Sequence, residues 1–286
     1  MESSWSSAAL GPIEEQQALD RVGDAIQKAI DPLFARPGAT PVKNFLHGTW
    51  LGHALHPVLS DIPIGFWTAS LLLDAVGASM SATVVNAAGS VAAVATAATG
   101  IADWTGTHGR ERRLGVVHGA LNSVGLGFQL ASLASRLAFK KRRAVTLSAI
   151  GWSVSSLAAY IGGELVFSRG VMVNHDAWTA GPADWTRVCA ETDVPEGGTK
   201  KVDVEGHSVL LYKENGNLYA LEDACAHAGG PLSEGEVRDG IVTCPWHGSQ
   251  FRLTDGRVCR GPATFPQLRL EVRKRSGQVE VRGRQG

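Results

Sequence analysis

The chain has 286 residues, room for two domains, and its 27 basic and 27 acidic side chains cancel to a net charge of zero. That balance gives no sign of a nucleic-acid partner. Four cysteines are too few for a disulfide scaffold, so Cys189 and Cys259 read as unpaired small apolar side chains, with a structural disulfide between them as the alternative.

Residues 1–44 read as an amphipathic helix and linker. Ile13–Phe34 has helical periodicity, with Ala18, Val22, Ile26 and Ile30 on one face. Glu14, Glu15, Asp20 and Asp24 fall where a secretory signal would be apolar, so export is not expected.

Residues 45–169 read as a four-helix transmembrane domain. A bilayer span takes about 20 residues, and Val58–Ala78, Ala82–Asp103, Leu114–Ala138 and Ala144–Phe167 are each long and apolar enough. Short polar links at 104–113 and 139–143 make neighbouring helices antiparallel. Polar side chains inside hydrocarbon are costly, which singles out His53, His56, Asp61, Asp74, Asp103, His118 and Asn122. Three readings fit them: an interhelical hydrogen-bond network, a b-type haem held by His118 with His56 or His53, and a quinone or proton site. Basic residues divide evenly. Arg136, Lys140, Lys141, Arg142 and Arg143 lie on one side, with Lys43, Arg110, Arg112, Arg113 and Arg169 on the other, so the positive-inside rule does not choose an orientation.

Residues 170–182 read as a linker and 183–286 as an all-β domain. Hairpins are expected around Glu214-Asn215-Gly216-Asn217, around Thr254-Asp255-Gly256 and around Ser276-Gly277. From this domain project Cys225-Ala-His227 and Cys244-Pro-Trp-His247, sixteen residues apart. Each segment supplies one thiolate and one imidazole, the donors a [2Fe–2S] cluster needs when sulfur holds one iron and nitrogen the other. Structural zinc also accepts two Cys and two His, but its usual spacing keeps like ligands together. Here both pairs are mixed. Imidazoles remove negative charge, raising the potential to roughly −150 to +300 mV.

With CAHAGGPLSEGEVRDGIVTCPWHGSQF the chain resembles the Rieske [2Fe–2S] family over about its last hundred residues. The resemblance implies that Cys225 and Cys244 hold one iron, that His227 and His247 hold the other, and that the His edges face solvent where a partner docks. High-potential members carry a disulfide between the loops. Gly230 and Trp246 stand at those two positions, so the chain looks closer to Rieske ferredoxins and ring-hydroxylating oxygenases. Pro245 shapes the second loop, and RVCRGPA, with Gly261 and Pro262, resembles the third loop that covers the cluster. The chain departs from the ferredoxin group at Ser249, where Ala is frequent; a hydroxyl there can donate to a bridging sulfide and raise the potential. HPVLSDIPIGFW, TGIADW and HGALN together resemble an uncharacterised four-helix membrane-domain family over about residues 45–170.

The chain therefore reads as an integral protein of the cell membrane that transfers single electrons through one [2Fe–2S] cluster. Its partners would be a redox protein or a membrane quinone, with lipid around the helices. Absence of the protective disulfide places the cluster domain on the cytoplasmic side. A quinol- or haem-linked oxidoreductase and a membrane redox sensor are the alternatives. A self-contained oxygenase is not expected, because no histidine follows Gln250 to complete a mononuclear iron site.

Overall fold

A computed structural model describes residues 5–36 and 38–283. Residues 1–4, 37 and 284–286 of the expected N-terminal and C-terminal regions lie outside the described residues. The chain divides into two compact units, one of residues 1–39 and 55–171, the other of residues 40–54 and 172–286.

The first unit is helical. The periodic stretch expected over Ile13–Phe34 forms two helices, α1 (Trp5–Glu14) and α2 (Ala18–Phe34), broken at Glu15–Gln17. Arg113 explains the break: its guanidinium donates to the Glu14 carbonyl at the end of α1 and to both Asp20 carboxylate oxygens in α2. A short helix α3 (Ala39–His47) follows, and then four long ones: α4 (Leu55–Ala75), α5 (Ser79–Trp104), α6 (Gly109–Leu137) and α7 (Lys141–Gly163), the last extended by a π-turn over Glu164–Ser168. All four are long and apolar enough to cross a membrane.

Small residues set their packing. A Cβ on Gly125 of α6 would lie 3.1 Å from the Gly151 carbonyl of α7, and one on Gly151 would lie 2.8 Å from the Gly125 carbonyl. The two backbones therefore touch where any larger residue would separate them. Beside them Asn86, Gln129 and Ser148 form a buried network. Asn86 Nδ2 donates to Gln129 Oε1 at 2.7 Å, as does Ser148 Oγ at 3.0 Å. At the C-terminal ends of α4 and α6, Asp74 and Arg136 form a bidentate pair at 2.5 and 3.0 Å, almost wholly buried.

The second unit is built on antiparallel strands. Strands β1 (Thr186–Ala190), β2 (Thr199–Val204), β3 (His207–Glu214), β4 (Asn217–Glu222), β5 (Glu236–Arg238), β6 (Ile241–Thr243), β7 (Gln250–Arg252), β8 (Val258–Arg260), β9 (Leu270–Arg275) and β10 (Gln278–Gly283) form three sheets. Their orders are β1-β10-β9, β2-β3-β4 and β5-β6-β7-β8. The expected hairpins are present. Asn215 and Gly216, and likewise Ser276 and Gly277, both have positive φ, as a two-residue turn matched to strand twist demands. Strand β3 is buried on both faces. Val209 and Leu211 join one core with Leu270, Val279 and Val281, while Leu210 and Tyr212 join another with Leu232, Phe251, Cys225 and Cys244. The two cysteines are thus seated in an apolar core. Those of the sequence's remaining positions, Cys189 and Cys259, are free thiols, as expected.

Candidate cluster site

The first loop leaves β4 at Glu222 and the second joins β6 to β7; the two are folded alike. Cys225 N–H donates to the Gly230 carbonyl at 2.9 Å, and Cys244 N–H to the Ser249 carbonyl at 2.8 Å. In return, the N–H of Gly229 reaches the Cys225 carbonyl at 2.7 Å and that of Gly248 reaches Cys244 at 3.0 Å. Both glycines have φ near +70°, at +74° and +71°. Any side chain would strain that backbone.

These turns aim main-chain N–H groups at the thiols. Cys225 Sγ accepts from His227 and Ala228, and Cys244 Sγ accepts from Trp246 and His247. Four such donors favour sulfur in its anionic, metal-binding form. The two thiols also hydrogen-bond each other. That contact pushes the Cys225 thiol up and pulls the Cys244 thiol down. The His227 and His247 rings meet edge to face with centres 4.9 Å apart.

The surrounding expected residues are close by. Gly230 packs against the second loop so tightly that a Cβ would lie 2.9 Å from the Trp246 ring and 3.0 Å from Cys244 Sγ. Glycine and tryptophan thus fit together where the two loops meet. Ser249 is fully buried, and its Oγ accepts from Ala263 N–H in the third loop at 3.0 Å. Pro245 is exposed. Gly261 of the third loop donates to Asn44 Oδ1 at 3.0 Å, while Asn44 Nδ2 donates to the Cys259 carbonyl at 3.3 Å. His227 differs from expectation: it is 8% exposed, because its ring is tucked against that of His247. His247 remains half-buried, and Trp246 beside it is 56% exposed.

Gln267 escaped sequence reading. Its Oε1 accepts from Ala226 N–H at 2.8 Å, and its Nε2 donates to the carbonyls of Ala224 and Glu222 and to Asp176 Oδ2 at 2.8 Å. One side chain therefore pins the first loop on both sides of Cys225. Burial pushes the Asp176 carboxyl up to about 6. It also lifts Glu222 to about 7, helped by the charges of Asp176 and Asp223.

Among the residues singled out in the helical unit, His56 and His118 come together with ring centres 6.2 Å apart, and Asn122 Nδ2 lies 3.2 Å from His118 Nε2. Asp61 is exposed and Asp103 is buried. His53 falls in the other unit, its Nδ1 against the Ala54 carbonyl.

Paired thiols in contact, paired imidazoles in contact and N–H donors on each sulfur suit a [2Fe–2S] cluster by the chemistry of the donor set. Comparison with known proteins agrees. Residues 184–273 match the family model described as Rieske [2Fe-2S] domain, and residues 52–175 match the one described as Predicted membrane protein (DUF2231). Ferredoxin CarAc of Metapseudomonas resinovorans is 35% identical over 100 residues, 35% of this chain and 94% of the relative. The ferredoxin component of the p-cumate 2,3-dioxygenase system of Pseudomonas putida is 35% identical over 100 residues, 34% of this chain and 85% of the relative. Among solved structures, a chain from the complex of reduced oxygenase and oxidized ferredoxin in carbazole 1,9a-dioxygenase aligns at 31% identity and a TM-score of 0.34, over 36% of this chain and 97% of that one. Through its C-terminal domain, which carries one [2Fe–2S] cluster, the chain belongs to the Rieske family, and its helical half matches a family of predicted membrane proteins.

Proposed function

We propose that the chain is a membrane-anchored one-electron carrier in which Cys225 and Cys244 hold one iron of the cluster, and His227 and His247 hold the other. The cluster supplies a centre that accepts and releases a single electron. The protein's own part is to hold four donors in place, present N–H groups to the sulfurs and keep water from the buried thiols. The observation that carries the assignment is the pairing of like donors, thiol against thiol and imidazole against imidazole 4.9 Å apart, from loops that mix them in sequence. Half-buried His247 and exposed Trp246 offer the edge through which an electron enters and leaves.

The partner in this reading is another redox protein. The two relatives above are ferredoxins, one named as a component of a dioxygenase system. The four apolar helices fix the carrier in the cell membrane, raising its effective concentration near other membrane-bound redox proteins. The cluster domain faces the cytoplasm; its four cysteines are all unpaired thiols, in keeping with a reducing compartment.

The test is spectroscopic. Anaerobically purified protein in detergent should give the paramagnetic signal of a mixed-ligand [2Fe–2S] cluster. His247→Cys should move that signal towards the all-thiolate type and lower the potential. An unchanged spectrum would mean that His247 is not a ligand.

A further inference from the structure

The four long helices are one hairpin used twice. A step of 62 residues carries Asp74 onto Arg136 and Asn86 onto Ser148. The same step carries Gly65-Phe66 and Ala69-Ser70-Leu71 of α4 onto Gly127-Phe128 and Ala131-Ser132-Leu133 of α6. In α5, Ala82, Gly89 and Gly100 return as Ala144, Gly151 and Gly162 of α7. Hydrogen bonds repeat with the residues. Ser70 Oγ donates to the Ala82 carbonyl at 2.9 Å, and Ser132 Oγ donates to that of Ala144 at 2.7 Å.

Only one kind of titratable side chain stands at the same place in both copies, and it is histidine: His56 and His118. Their settings match. His56 Nδ1 lies 3.0 Å from the Thr96 carbonyl, and His118 Nδ1 lies 2.8 Å from the carbonyl of Ala158, the equivalent residue. A carbonyl can only accept, so each Nδ1 carries the proton and each Nε2 keeps its lone pair. Each ring rests on a glycine. A Cβ on Gly100 would lie 2.7 Å from His56 Cε1, and one on Gly162 would lie 3.0 Å from His118 Cε1. The rings approach one another with centres 6.2 Å apart and planes at 83°.

Two imidazoles that both offer lone pairs cannot bond each other. They suit a Lewis acid between them. An ion held by both Nε2 atoms at about 2.0 Å separates the ring centres by roughly 6.3 Å, close to what is seen. Two donors are too few to retain a bare ion, and the described residues contain no group of three or more His, Cys, Asp or Glu that could hold one. An iron tetrapyrrole brings four nitrogens of its own and asks the protein for two axial ligands. We propose that the helical unit binds a b-type haem between His56 and His118. Asn122 Nδ2, now 3.2 Å from His118 Nε2, also donates to the His118 carbonyl at 3.1 Å and keeps that bond when the ring turns to iron. The equivalent residue, Ser60, donates to the Pro57 carbonyl at 2.7 Å.

The full chain, expressed with a haem precursor and purified in detergent, should show a Soret band and about one haem per chain by pyridine haemochromogen assay. His56→Ala and His118→Ala should each lower haem content at least tenfold with helix content unchanged by circular dichroism. His118→Met, which retains an axial donor, should keep the haem with an altered ferrous spectrum. Cys225→Ser removes a proposed cluster ligand and should leave the Soret band intact, separating this site from the cluster. The proposal is overturned if no Soret band forms in cells supplied with precursor or on titration with hemin, or if the band survives both alanine substitutions.

Discussion

Ser249 and Asp176 each do something at the residue level that composition alone does not reveal. The Ser249 hydroxyl accepts from Ala263 N–H, which ties the third loop down, and still has its own proton to give. Ser249→Ala should lower the reduction potential in a redox titration. It should also leave a buried N–H unmatched, costing about 1–3 kcal/mol in unfolding experiments. A potential unmoved by the substitution would show that the proton is directed elsewhere. Asp176 acts through charge. Its pKa of about 6 lies above the ordinary carboxylate value, so the folded chain holds the proton more tightly than the unfolded one. Stability from this group is therefore present at low pH and is lost as pH rises from about 4 to about 6. A shift of about two units sets an upper bound of about 3 kcal/mol. In Asp176→Asn an amide oxygen can take over both bonds that Oδ2 accepts, from Gln267 Nε2 and Leu268 N–H. That variant should lose less stability than the parent between pH 4 and 6, the remaining slope coming from Glu222, whose carboxyl is also raised, to about 7; an equal slope in both would refute the assignment. The four proposed ligands were legible because their spacing is itself the chemistry. Gln267 was not, since its partners at Asp176, Glu222, Ala224 and Ala226 meet only after folding.

Elements were easier to foresee than their pairing. The four spans emerged within a few residues of α4 to α7 because span length and apolarity are local properties. The turns at Asn215-Gly216 and Ser276-Gly277 were legible for the same reason. The partnership of Asp74 and Arg136 was hidden, with one residue read as a polar intrusion and the other as part of a basic flank. Together they form an ion pair whose side chains are 2% and 5% exposed, and Arg136 Nη2 adds a bond to Ser70 Oγ at 3.3 Å. Removing one member of such a pair strands the other charge in an apolar setting. Asp74→Ala should therefore destabilise the helical unit by about 3–5 kcal/mol in detergent unfolding, while the exchange Asp74→Arg with Arg136→Asp should recover most of the loss. A mild effect of the single substitution would show that water reaches the arginine. The duplication was equally hidden. Its identities are mostly Gly, Ala and Ser, the residues that any tightly packed apolar helix favours, and it took the repeated hydrogen bonds to expose the register.

At the scale of the whole chain, the cluster domain is discontinuous. Sequence reading placed residues 45–54 with the helices, yet residues 40–54 group with residues 172–286. The reason is chemical: Asn44 exchanges two hydrogen bonds with Cys259 and Gly261, and the His47 ring, fully buried, lies where a Cβ on Gly261 would come within 2.9 Å of it. No local pattern in LHGTWLGHA announces a partner more than 200 residues away. The matched ferredoxins align with only about a third of this chain, within its C-terminal part. Here the third loop is braced in addition from before the first long helix. Asn44→Ala removes both bonds and leaves the Gly261 N–H without its acceptor, at a cost of about 1–3 kcal/mol. The expected result in full-length protein is faster bleaching of the cluster absorbance on warming, with the helical unit unchanged by circular dichroism. A fragment of residues 172–286 should bleach faster still, and adding residues 40–54 as a peptide should slow it. If the fragment alone retained its cluster as long as the full chain does, the brace would have no part in holding the third loop closed.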